Sequence, residues 1–352
     1  MRTDEFTFEL PEELIAQHPP AERGQSRLMV MDRKNGLHQH RVTRDLPLII
    51  EPGTLMVFNN SRVRRARVVG VSEASGAEAE FLLLKRLDEF RWQAMAKRLK
   101  RRKPGSRYNF YGVGAEVLST PEIIGDEGTL TLRFDSPVDD AWLDIHGHVP
   151  LPPYIKRGDS AGDSDADSER YQTVYAKEHG SAAAPTAGLH FTEELLADLE
   201  KAGIETAFLT LHVGMGTFLP VRAEKVADHH MHEESYSIND ETALRIEKAK
   251  AEGRKILAVG TTSVRALEAA WVQESADKGS LRRGDGSTSI FIYPGYEFKA
   301  VDAMFTNFHT PGSTLIMLVA AFAGRDFTLD CYNEAVRQRY RFFSYGDACL
   351  IV

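Results

Sequence analysis

Residues 239–268, NDETALRIEKAKAEGRKILAVGTTSVRALE, contain the pattern that decides the fold. Asn239 or Asp240 can begin a helix and Gly253 can end it, and the apolar run Ile256–Val259 has the length of a buried strand. A second helix then begins after Gly260. This succession of helix, glycine, strand, loop and helix is typical of an α/β sheet.

Two other parts of the chain repeat the succession. Thr192 can cap a helix that ends at Gly203 before an apolar run at 204–213, and a run at 298–305 leads through a loop to an apolar helix from Ser313. The strands end in three unusual loops: HVGMGTF at 212–218, VGTTSVR at 259–265 and TNFHTPGST at 306–314. Ligands of α/β sheets bind beyond the carboxyl ends of the strands, so we expect the loops to form one site.

Between residues 63 and 145 the pattern of residue types along the sequence changes. Stretches such as RVVGV, FRWQAMA and GTLTLRFD are short and rich in β-branched and aromatic residues, and Gly, Pro, Asp and Ser separate them. This pattern predicts a small antiparallel barrel or sandwich.

The charge balance argues against a generic cationic nucleic-acid binder. The 352 residues include 43 basic and 51 acidic side chains, a net charge of −8. One segment reverses the sign, because seven of the eleven residues from 97 to 107 are basic. These are Lys97, Arg98, Lys100, Arg101, Arg102, Lys103 and Arg107. Such a run suits a phosphate backbone, and a solvated face is the alternative.

Targeting and redox signals point to the cytoplasm. The first fourteen residues contain five acids, which argues against a secretory signal. The longest apolar run, 315–323, has nine residues where a bilayer needs roughly 20, so it predicts a buried helix. Cys331 and Cys349 lack the spacing of a redox motif and are expected to be small buried apolar side chains in a reducing compartment.

Two glycine-containing segments are candidates for ligand binding. After Gly260, the amides of a new helix and the hydroxyls of Thr261, Thr262 and Ser263 suit a carboxylate or phosphate, although these residues are also ordinary helix caps. The segment AAAPTAGLHF, 182–191, lets a ligand approach the backbone and supplies a histidine, with a packed loop as the alternative. GMGTF resembles a glycine fingerprint only weakly.

Histidines and acids suggest metal sites at two places. In DHHMHEE, 228–234, His230 and His232 would share one face of a strand, but a third ligand has no obvious spacing, so a role without metal is favoured. The acidic run at 158–169 predicts an exposed, mobile loop without the ligand order of a calcium site. No serine-hydrolase elbow, CxxC or zincin motif occurs.

Taken in order, the motifs resemble one family. GHVPLPPYIKR, ERYQTVYA, AAAPTAGLHFT, TLHVGMGTFLPV, DHHMHEE, AVGTTSVRALE, IFIYPGY, TNFH and YRFFSYGDACL, with SRLMV and VFNNSRV earlier, are similar to the S-adenosylmethionine:tRNA ribosyltransferase-isomerases of queuosine biosynthesis. The resemblance implies a large α/β domain of barrel-like build, 1–62 and 146–352, interrupted by an all-β barrel domain at 63–145.

The resemblance also implies the reaction. The ribosyl part of S-adenosylmethionine moves to 7-aminomethyl-7-deazaguanine at the wobble position of tRNA, adenine and methionine leave, and the product is epoxyqueuosine. The implied partners are this tRNA and S-adenosylmethionine, which is consumed. No metal or vitamin cofactor and no membrane contact is expected.

The residue types then suggest roles within this reaction. His190, His212 and His232 are the expected proton carriers, in that order, because the first two adjoin glycine-rich turns. The methionine carboxylate is expected at the helix start after Gly260, and the sulfonium against Phe191 or Phe218. The expected S-adenosylmethionine contacts are Thr186, Gly188, Phe191, Gly214, Gly216, Phe218, Gly260, Thr261, Thr262 and Ser263. The basic residues of 97–107 are the expected tRNA contacts.

The sequence departs from the family pattern at three places. Asn60 in FNNSRV stands where the family phrase has Asp, so no carboxylate role is transferred to it. Thr310 follows TNFH where Leu is more usual, and His230 occupies a position without an expected fixed histidine, which favours His229 and His232 in that cluster. A metal-dependent hydrolase, a Rossmann-type methyltransferase and a non-catalytic RNA-binding module are the competing hypotheses.

Overall fold

The computed structural model describes residues 1–96, 98–118, 122–124, 127–157, 165–214, 221, 223–275 and 278–352. Its strands are β1 (Arg27–Asp32), β2 (Leu37–Val42), β3 (Leu55–Asn59), β4 (Ser61–Val63), β5 (Arg67–Ser72), β6 (Glu78–Arg86), β7 (Arg91–Ala96), β8 (Arg107–Phe110), β9 (Val113–Val117), β10 (Glu122–Ile124), β11 (Glu127–Phe134), β12 (Glu178–Ser181), β13 (Glu205–Leu211), β14 (Glu234–Ile238), β15 (Ile256–Val259), β16 (Trp271–Ser275), β17 (Lys278–Leu281), β18 (Gly284–Thr288), β19 (Ala303–Asn307) and β20 (Ala348–Ile351).

The α-helices are α1 (Leu46–Ile49), α2 (Asp140–His146), α3 (Asp165–Arg170), α4 (Glu193–Lys201), α5 (Asp240–Ala251), α6 (Thr261–Ala270), α7 (Thr314–Ala323) and α8 (Arg325–Arg337). Short 3₁₀ turns occur at Thr3–Phe6, Glu12–Leu14, Thr43–Asp45, Leu99–Arg101, Thr186–His190 and Val226–Asp228. None of the helices in the described part of the chain has the length and apolar content to cross a bilayer.

A nine-stranded mixed sheet forms the larger part of the fold. Its strand order is β18-β14-β13-β3-β15-β19-β20-β1-β2. The four neighbours β13, β3, β15 and β19 run parallel, so their carboxyl ends meet at one edge. β20 lies between β19 and β1, antiparallel to the first and parallel to the second.

Both faces of the inner strands β3, β15 and β19 are buried, as their continuous apolar runs require, whereas the edge strand β2 is largely exposed. In β3, Leu55 and Val57 pack into one core and Met56 and Phe58 into another on the opposite face. Side chains of α5, α6, α7 and α8 cover the first face, and those of α1 and α4 contribute to the second. The predicted α/β class is confirmed.

The predicted helix signals are confirmed at three N-termini. The side chain of Thr192 accepts a hydrogen bond from the amide of Leu195. In the same way, Asn239 accepts one from the amide of Thr242 and Ser313 one from the amide of Ile316. Each polar side chain satisfies an amide that the helix itself leaves without a partner.

Six strands between residues 67 and 134 form the predicted small barrel. Strands β11, β7, β6, β5, β8 and β9 follow one another by antiparallel pairing, and β9 pairs back with β11 to close the ring. Trp92, Phe81, Phe110 and Phe134 fill its own hydrophobic core. These strands lie within the predicted insertion at 63–145, whose bounds stay a prediction.

Two local predictions are wrong. The run at 158–169 contains a helix, α3, in which Asp167 is buried and receives two hydrogen bonds of 2.7 Å from the guanidinium of Arg157. Residues 158–164 of that run lie outside the described residues. His230 and His232 do not lie on a strand, because β14 begins at Glu234, where the chain pairs with β18.

Cys331 and Cys349 are free, buried thiols, as expected. Burial raises the pKa of the Cys331 thiol to about 12 and raises that of Cys349 as well. Both are therefore protonated at neutral pH and poorly nucleophilic.

Candidate active site

A cavity of about 630 Å³, here called the sheet cavity, lies beyond the carboxyl ends of β15 and β19. Its wall includes Thr186, Gly260, Thr261, Thr262, Asn307 and His309. Residues of all three loops singled out in the sequence thus meet in one place, the first loop through Val213, together with residues of the 182–191 segment.

The start of α6 faces this cavity. Gly260 has a φ of 87°, a left-handed conformation that favours glycine, and it turns the chain from β15 directly into the helix. Thr261 and Thr262 line the cavity. Ser263 does not, because its buried hydroxyl donates a 2.8 Å hydrogen bond to the Val259 carbonyl one turn earlier.

The segment 182–191 contributes less to the cavity than predicted. Thr186 lines it, whereas Gly188 packs so tightly that a β-carbon would lie 2.0 Å from the Tyr175 hydroxyl. Phe191 is fully buried between Phe58 and Phe305, at ring-centroid distances of 5.0 and 5.2 Å. The structure therefore does not bring the Phe191 ring to the cavity, where a sulfonium contact would need it.

His190 is also buried beneath the cavity wall. Its Nδ1 lies 2.9 Å from Ser26 Oγ and its Nε2 lies 3.0 Å from Asn307 Nδ2. Desolvation, with the charges of Arg341 and Arg23, lowers the pKa of His190 to about 3. Both nitrogens are thus occupied on a ring that is a weak base, which does not fit the predicted proton-carrying role.

Asn307 and His309 line the sheet cavity, although neither was among the predicted site residues. His309 Nε2 lies 3.0 Å from Thr306 Oγ1, and burial lowers its pKa to about 3. The TNFH phrase marked this loop, but the sequence did not show which of its side chains face inward.

A second cavity, here called the barrel cleft, has a volume of about 740 Å³. One side is formed by β6, β7 and β11 of the barrel, with Lys85, Arg86 and Met95 among the lining residues. The other side includes Arg64, His179, His212, Gly214, His232 and Glu234. Two of the three predicted catalytic histidines therefore lie here and not in the sheet cavity.

His212 is the half-buried histidine of the cleft. Its ring packs against Gly180, where a β-carbon would lie 2.9 Å from the imidazole, and its Nδ1 has no hydrogen-bond partner among the described residues. Desolvation and the charge of Arg64 lower the pKa of His212, while Glu178 acts in the opposite direction. The lowered pKa favours the neutral imidazole at physiological pH, and the Nδ1 side of the ring is buried against Gly180.

A buried ion pair supports the floor of the cleft. Glu234 pairs with Arg265 of α6, and its other oxygen accepts the amide of Gly214 at 2.9 Å. The guanidinium of Arg265 also donates to the carbonyl of Ile290. This network connects the helix at the sheet cavity to the loop after β13.

The histidine cluster at 228–234 is dispersed. His229 packs against Phe291 at 5.2 Å, and His232 is exposed at the cleft. Within the described ranges, the one group of side chains spaced to hold a metal is His38, His40 and Glu334, on the surface near β2 and α8. It does not include any residue of DHHMHEE.

The basic segment at 97–107 is only partly free for a ligand. Arg107 pairs with Glu73 at 3.2 Å and with Asp135 at 2.5 Å, and Arg102 donates to the Tyr108 hydroxyl at 3.0 Å. Arg98, Arg101 and Lys103 are exposed and form no ion pair within the described residues. Lys97 and the Lys100 side chain lie outside the described part of the chain.

The two cavities share a wall. Val213 lines both, Ala182 lines the cleft and Ala183 lines the sheet cavity. The backbone amide of Ala182 hydrogen-bonds the carbonyl of Val213 at 2.9 Å, so the two segments lie side by side. Gly216 and Phe218, predicted to contact S-adenosylmethionine, lie outside the described residues.

Comparison with known proteins agrees with this arrangement of sheet and barrel. Residues 3–351 match the family described as "Queuosine biosynthesis protein". The S-adenosylmethionine:tRNA ribosyltransferase-isomerases of Treponema denticola and Clostridium kluyveri are 51% and 50% identical to the chain, each over 100% of both proteins. The chain belongs to this family.

A solved structure supports the same assignment. The crystal structure of the S-adenosylmethionine tRNA ribosyltransferase of Thermotoga maritima is 37% identical, with a TM-score of 0.55 over 99% of this chain and 100% of that one. As a member of the S-adenosylmethionine:tRNA ribosyltransferase-isomerase family, the chain is an enzyme of tRNA modification in queuosine biosynthesis, a transferase and isomerase.

Proposed function

We propose that this enzyme transfers and isomerises the ribosyl group of S-adenosylmethionine onto 7-aminomethyl-7-deazaguanine at the wobble position of tRNA. A nitrogen–carbon bond forms between the aminomethyl group and C1′ of the ribosyl group, and the epoxide C–O bond forms with loss of a hydroxyl proton. The bonds from that group to adenine and to the sulfur of methionine break, so one adenine and one methionine leave for each epoxyqueuosine formed.

The observation that carries this proposal is the shared wall of the two cavities. A transfer between a small donor and a macromolecular acceptor needs two sites whose reacting atoms meet. The sheet cavity is suited to the donor, the barrel cleft is lined by Met95 three residues before Arg98 of the basic segment, and both cavities adjoin at Val213. Residues 182–184 and 212–214 would then surround the reacting centre.

The sheet cavity offers the methionine carboxylate the positive end of a helix. Thr261 and Thr262 line the cavity at the first positions of α6, where amide groups point away from the helix. Thr262 Oγ1 accepts a 3.3 Å hydrogen bond from the buried Asn59, so its hydroxyl proton is free to point at a carboxylate oxygen.

His212 is the histidine best placed to remove a proton. The reaction needs a base near C5′, whose proton the adjacent sulfonium makes acidic. His212 lies one residue before the shared Val213 and lines the cleft, and its lowered pKa favours the neutral imidazole. Its Nδ1 is buried against Gly180, so the proton transfer would use Nε2. His232, exposed in the cleft, is the remaining candidate for a second proton transfer. His190 would affect the donor site only through its contact with Asn307, which lines the sheet cavity.

The tRNA would meet the barrel. Lys85 and Arg86 of β6 line the cleft, and Met95 lies three residues before Arg98, the first described residue of the basic segment. An anticodon loop is single-stranded, so the modified base can turn out of the loop into the cleft while its phosphates contact these cations.

One experiment tests the reaction. Purified enzyme is incubated with S-adenosylmethionine and tRNA that carries the aminomethyl base, and adenine and methionine are measured together. We expect equal amounts of both, only when both substrates are present. S-adenosylhomocysteine without adenine would indicate a methyltransferase, and tRNA binding without turnover would indicate an RNA-binding module.

The same assay tests the expectation that no metal is needed. Dialysis against a chelator should leave the rate unchanged, since no step above requires a metal ion. A loss of activity that zinc restores would support the metal-dependent alternative.

The reducing cytoplasm stays the predicted compartment.

A further inference from the structure

Asn307 has a buried side-chain oxygen for which the described protein offers no partner. The residue ends β19, is 2% exposed and contributes to the wall of the sheet cavity. Its Nδ2 donates to the carbonyl oxygen of Phe343 at 3.1 Å and to Nε2 of His190 at 3.0 Å. Its Oδ1 has no hydrogen-bond partner within the described residues. Folded proteins rarely leave such an acceptor unused.

The orientation of this amide is held by two acceptors. A flipped amide would place Oδ1 against the carbonyl oxygen of Phe343, and two oxygens would then repel each other. His190 is neutral, and its Nδ1 can donate to Ser26 Oγ at 2.9 Å, which leaves Nε2 as an acceptor. Both hydrogens of the Asn307 amide are therefore used inside the protein, and only Oδ1 is left for a ligand.

We propose that Asn307 Oδ1 accepts a hydrogen bond from an N–H or O–H group of the donor substrate in the sheet cavity. His190, Ser26 and the Phe343 carbonyl are positioning groups that orient the amide. This inference rests on the proposed function, because it takes S-adenosylmethionine as the ligand. The chemistry required is a neutral or cationic donor, which that molecule carries as its adenine amine, its ribose hydroxyls and its ammonium group.

The neighbouring start of α6 makes this assignment selective. β15 and β19 run side by side, and the amide of Gly260 donates to the carbonyl of Phe305 at 2.7 Å, so the first residues of α6 lie beside Asn307. Thr261 and Thr262 present donors and favour an anion, whereas Asn307 presents an acceptor. A ligand that carries an anionic carboxylate and a separate hydrogen-bond donor matches both groups, whereas a simple anion such as phosphate would satisfy the helix start only.

The test is a double-mutant cycle between enzyme and ligand. Calorimetry would compare S-adenosylmethionine with analogues that lack the 6-amino group, the 2′-hydroxyl, the 3′-hydroxyl or the α-ammonium, on wild type and on Asn307→Ala. We expect Asn307→Ala to weaken S-adenosylmethionine binding about 10-fold. One analogue should bind wild type about 10-fold more weakly and lose nothing further on the variant.

Asn109→Ala is the matched control, since Asn109 is an exposed residue of β8 in the barrel, and its Oδ1 accepts a hydrogen bond from the amide of Gly112 at 2.9 Å. It should bind S-adenosylmethionine as wild type does. Equal affinity of Asn307→Ala and wild type, or the same loss for every analogue on both proteins, would overturn the proposal. If Asn307→Ala does not fold, the measurements on wild type still test the proposal. Binding of all four analogues as tightly as S-adenosylmethionine would contradict it.

Ser26→Ala tests the positioning role. Without the acceptor for Nδ1–H, His190 can present Nε2–H to the amide, and the amide is no longer fixed. We expect KM for S-adenosylmethionine to rise several-fold with kcat and its pH profile unchanged, whereas an unchanged KM contradicts the role. Absence of adenine release by wild type would instead overturn the proposed function, so the two failures are distinguishable.

Discussion

At the scale of single residues, the position of His212 gives the site its pH dependence. The imidazole lies in the barrel cleft beside Arg64, whose Nε also donates to Asp140 at 2.5 Å. Desolvation is the larger cause of its lowered pKa and the positive charge of Arg64 is the second, with Glu178 opposing both. Removal of the arginine charge favours the imidazolium, so the pKa should rise.

We therefore predict that Arg64→Gln moves the acid limb of the kcat/KM profile to higher pH. NMR titration of the His212 ring should show the same upward shift, and this measurement does not depend on tRNA binding. Arg133→Gln removes an exposed barrel arginine paired with Glu116 and serves as the control. An unchanged His212 titration in Arg64→Gln would remove Arg64 as a cause.

A pair of glycines, Gly188 and Gly214, tests the packing of the segments near the two cavities. In Gly188→Ala the new β-carbon would lie 2.0 Å from the Tyr175 hydroxyl and 2.7 Å from Thr173 Cγ2, so the segment has to shift. We expect a loss of stability of about 1–3 kcal/mol by chemical denaturation. Gly214→Ala meets nothing closer than 3.8 Å and should change stability by less than about 0.5 kcal/mol. Equal effects would contradict this account of Gly188.

The role of His190 could not be predicted from its neighbours in the sequence. A histidine next to glycine and small residues is a reasonable proton carrier by type alone. Its actual partners, Ser26 and Asn307, are 164 and 117 positions away in the chain. No local pattern contains those contacts, and they change the role from proton transfer to orientation of an amide.

At the scale of elements, the basic segment after β7 is the sharpest test of the tRNA surface. We predict that the triple variant Arg98→Glu, Arg101→Glu and Lys103→Glu weakens tRNA binding and lowers the slope of log affinity against log salt by about 2–3. The reason is the loss of three exposed cations that form no ion pair within the described residues.

The control carries the same change of charge elsewhere. Lys201→Glu, Lys248→Glu and Arg337→Glu lie on α4, α5 and α8, and all three side chains are exposed. Fluorescence anisotropy at several salt concentrations would compare the two variants. Equal weakening by both would mean that net charge, and not the segment, governs binding.

Elements were predictable where their signals are local. The caps at Thr192, Asn239 and Ser313 lie within three residues of the amides they satisfy, and each helix begins where expected. The histidine cluster failed as a strand because β14 is defined by pairing with β18, some fifty residues later. Helix α3 was missed because its stabilising ion pair joins Asp167 to Arg157 across a stretch without apolar residues other than alanine.

At the scale of the whole molecule, buried neutral histidines make the fold sensitive to acid. His190 and His309 each have a folded-state pKa of about 3, against an ordinary value of 6.5. Between these values the unfolded chain binds protons that the folded chain does not. Stability from these groups is therefore fully present above about pH 6.5 and is lost as the pH falls towards 3.

We predict that His309→Gln reduces the loss of folding stability between pH 7 and pH 4. The variant should be less stable than wild type at pH 7, because it disturbs the contact with Thr306, and the difference should shrink by pH 4. Urea unfolding at both pH values measures the difference. Asn109→Ala, which removes an exposed side chain that does not titrate, should show no such pH-dependent difference from wild type. A constant difference for His309→Gln would contradict the prediction.

The overall architecture was foreseeable in outline only. Alternating helices and strands indicated an α/β sheet, and the change of texture at 63–145 indicated the barrel. The order of the nine strands was not foreseeable, because neighbours such as β1 and β20 are separated by more than 300 residues. The division of the site into two cavities depends on that order and on the position of the barrel against it.

The place of β20 also has a consequence for how the protein is made. This strand, 348–351, connects the hairpin of β1 and β2 to β19 and the rest of the nine-stranded sheet. A ribosome produces the hairpin early and β20 late, so residues 27–42 have to wait for nearly the whole chain before they join the sheet. The barrel closes through strands within 67–134, and its assembly can precede theirs during translation.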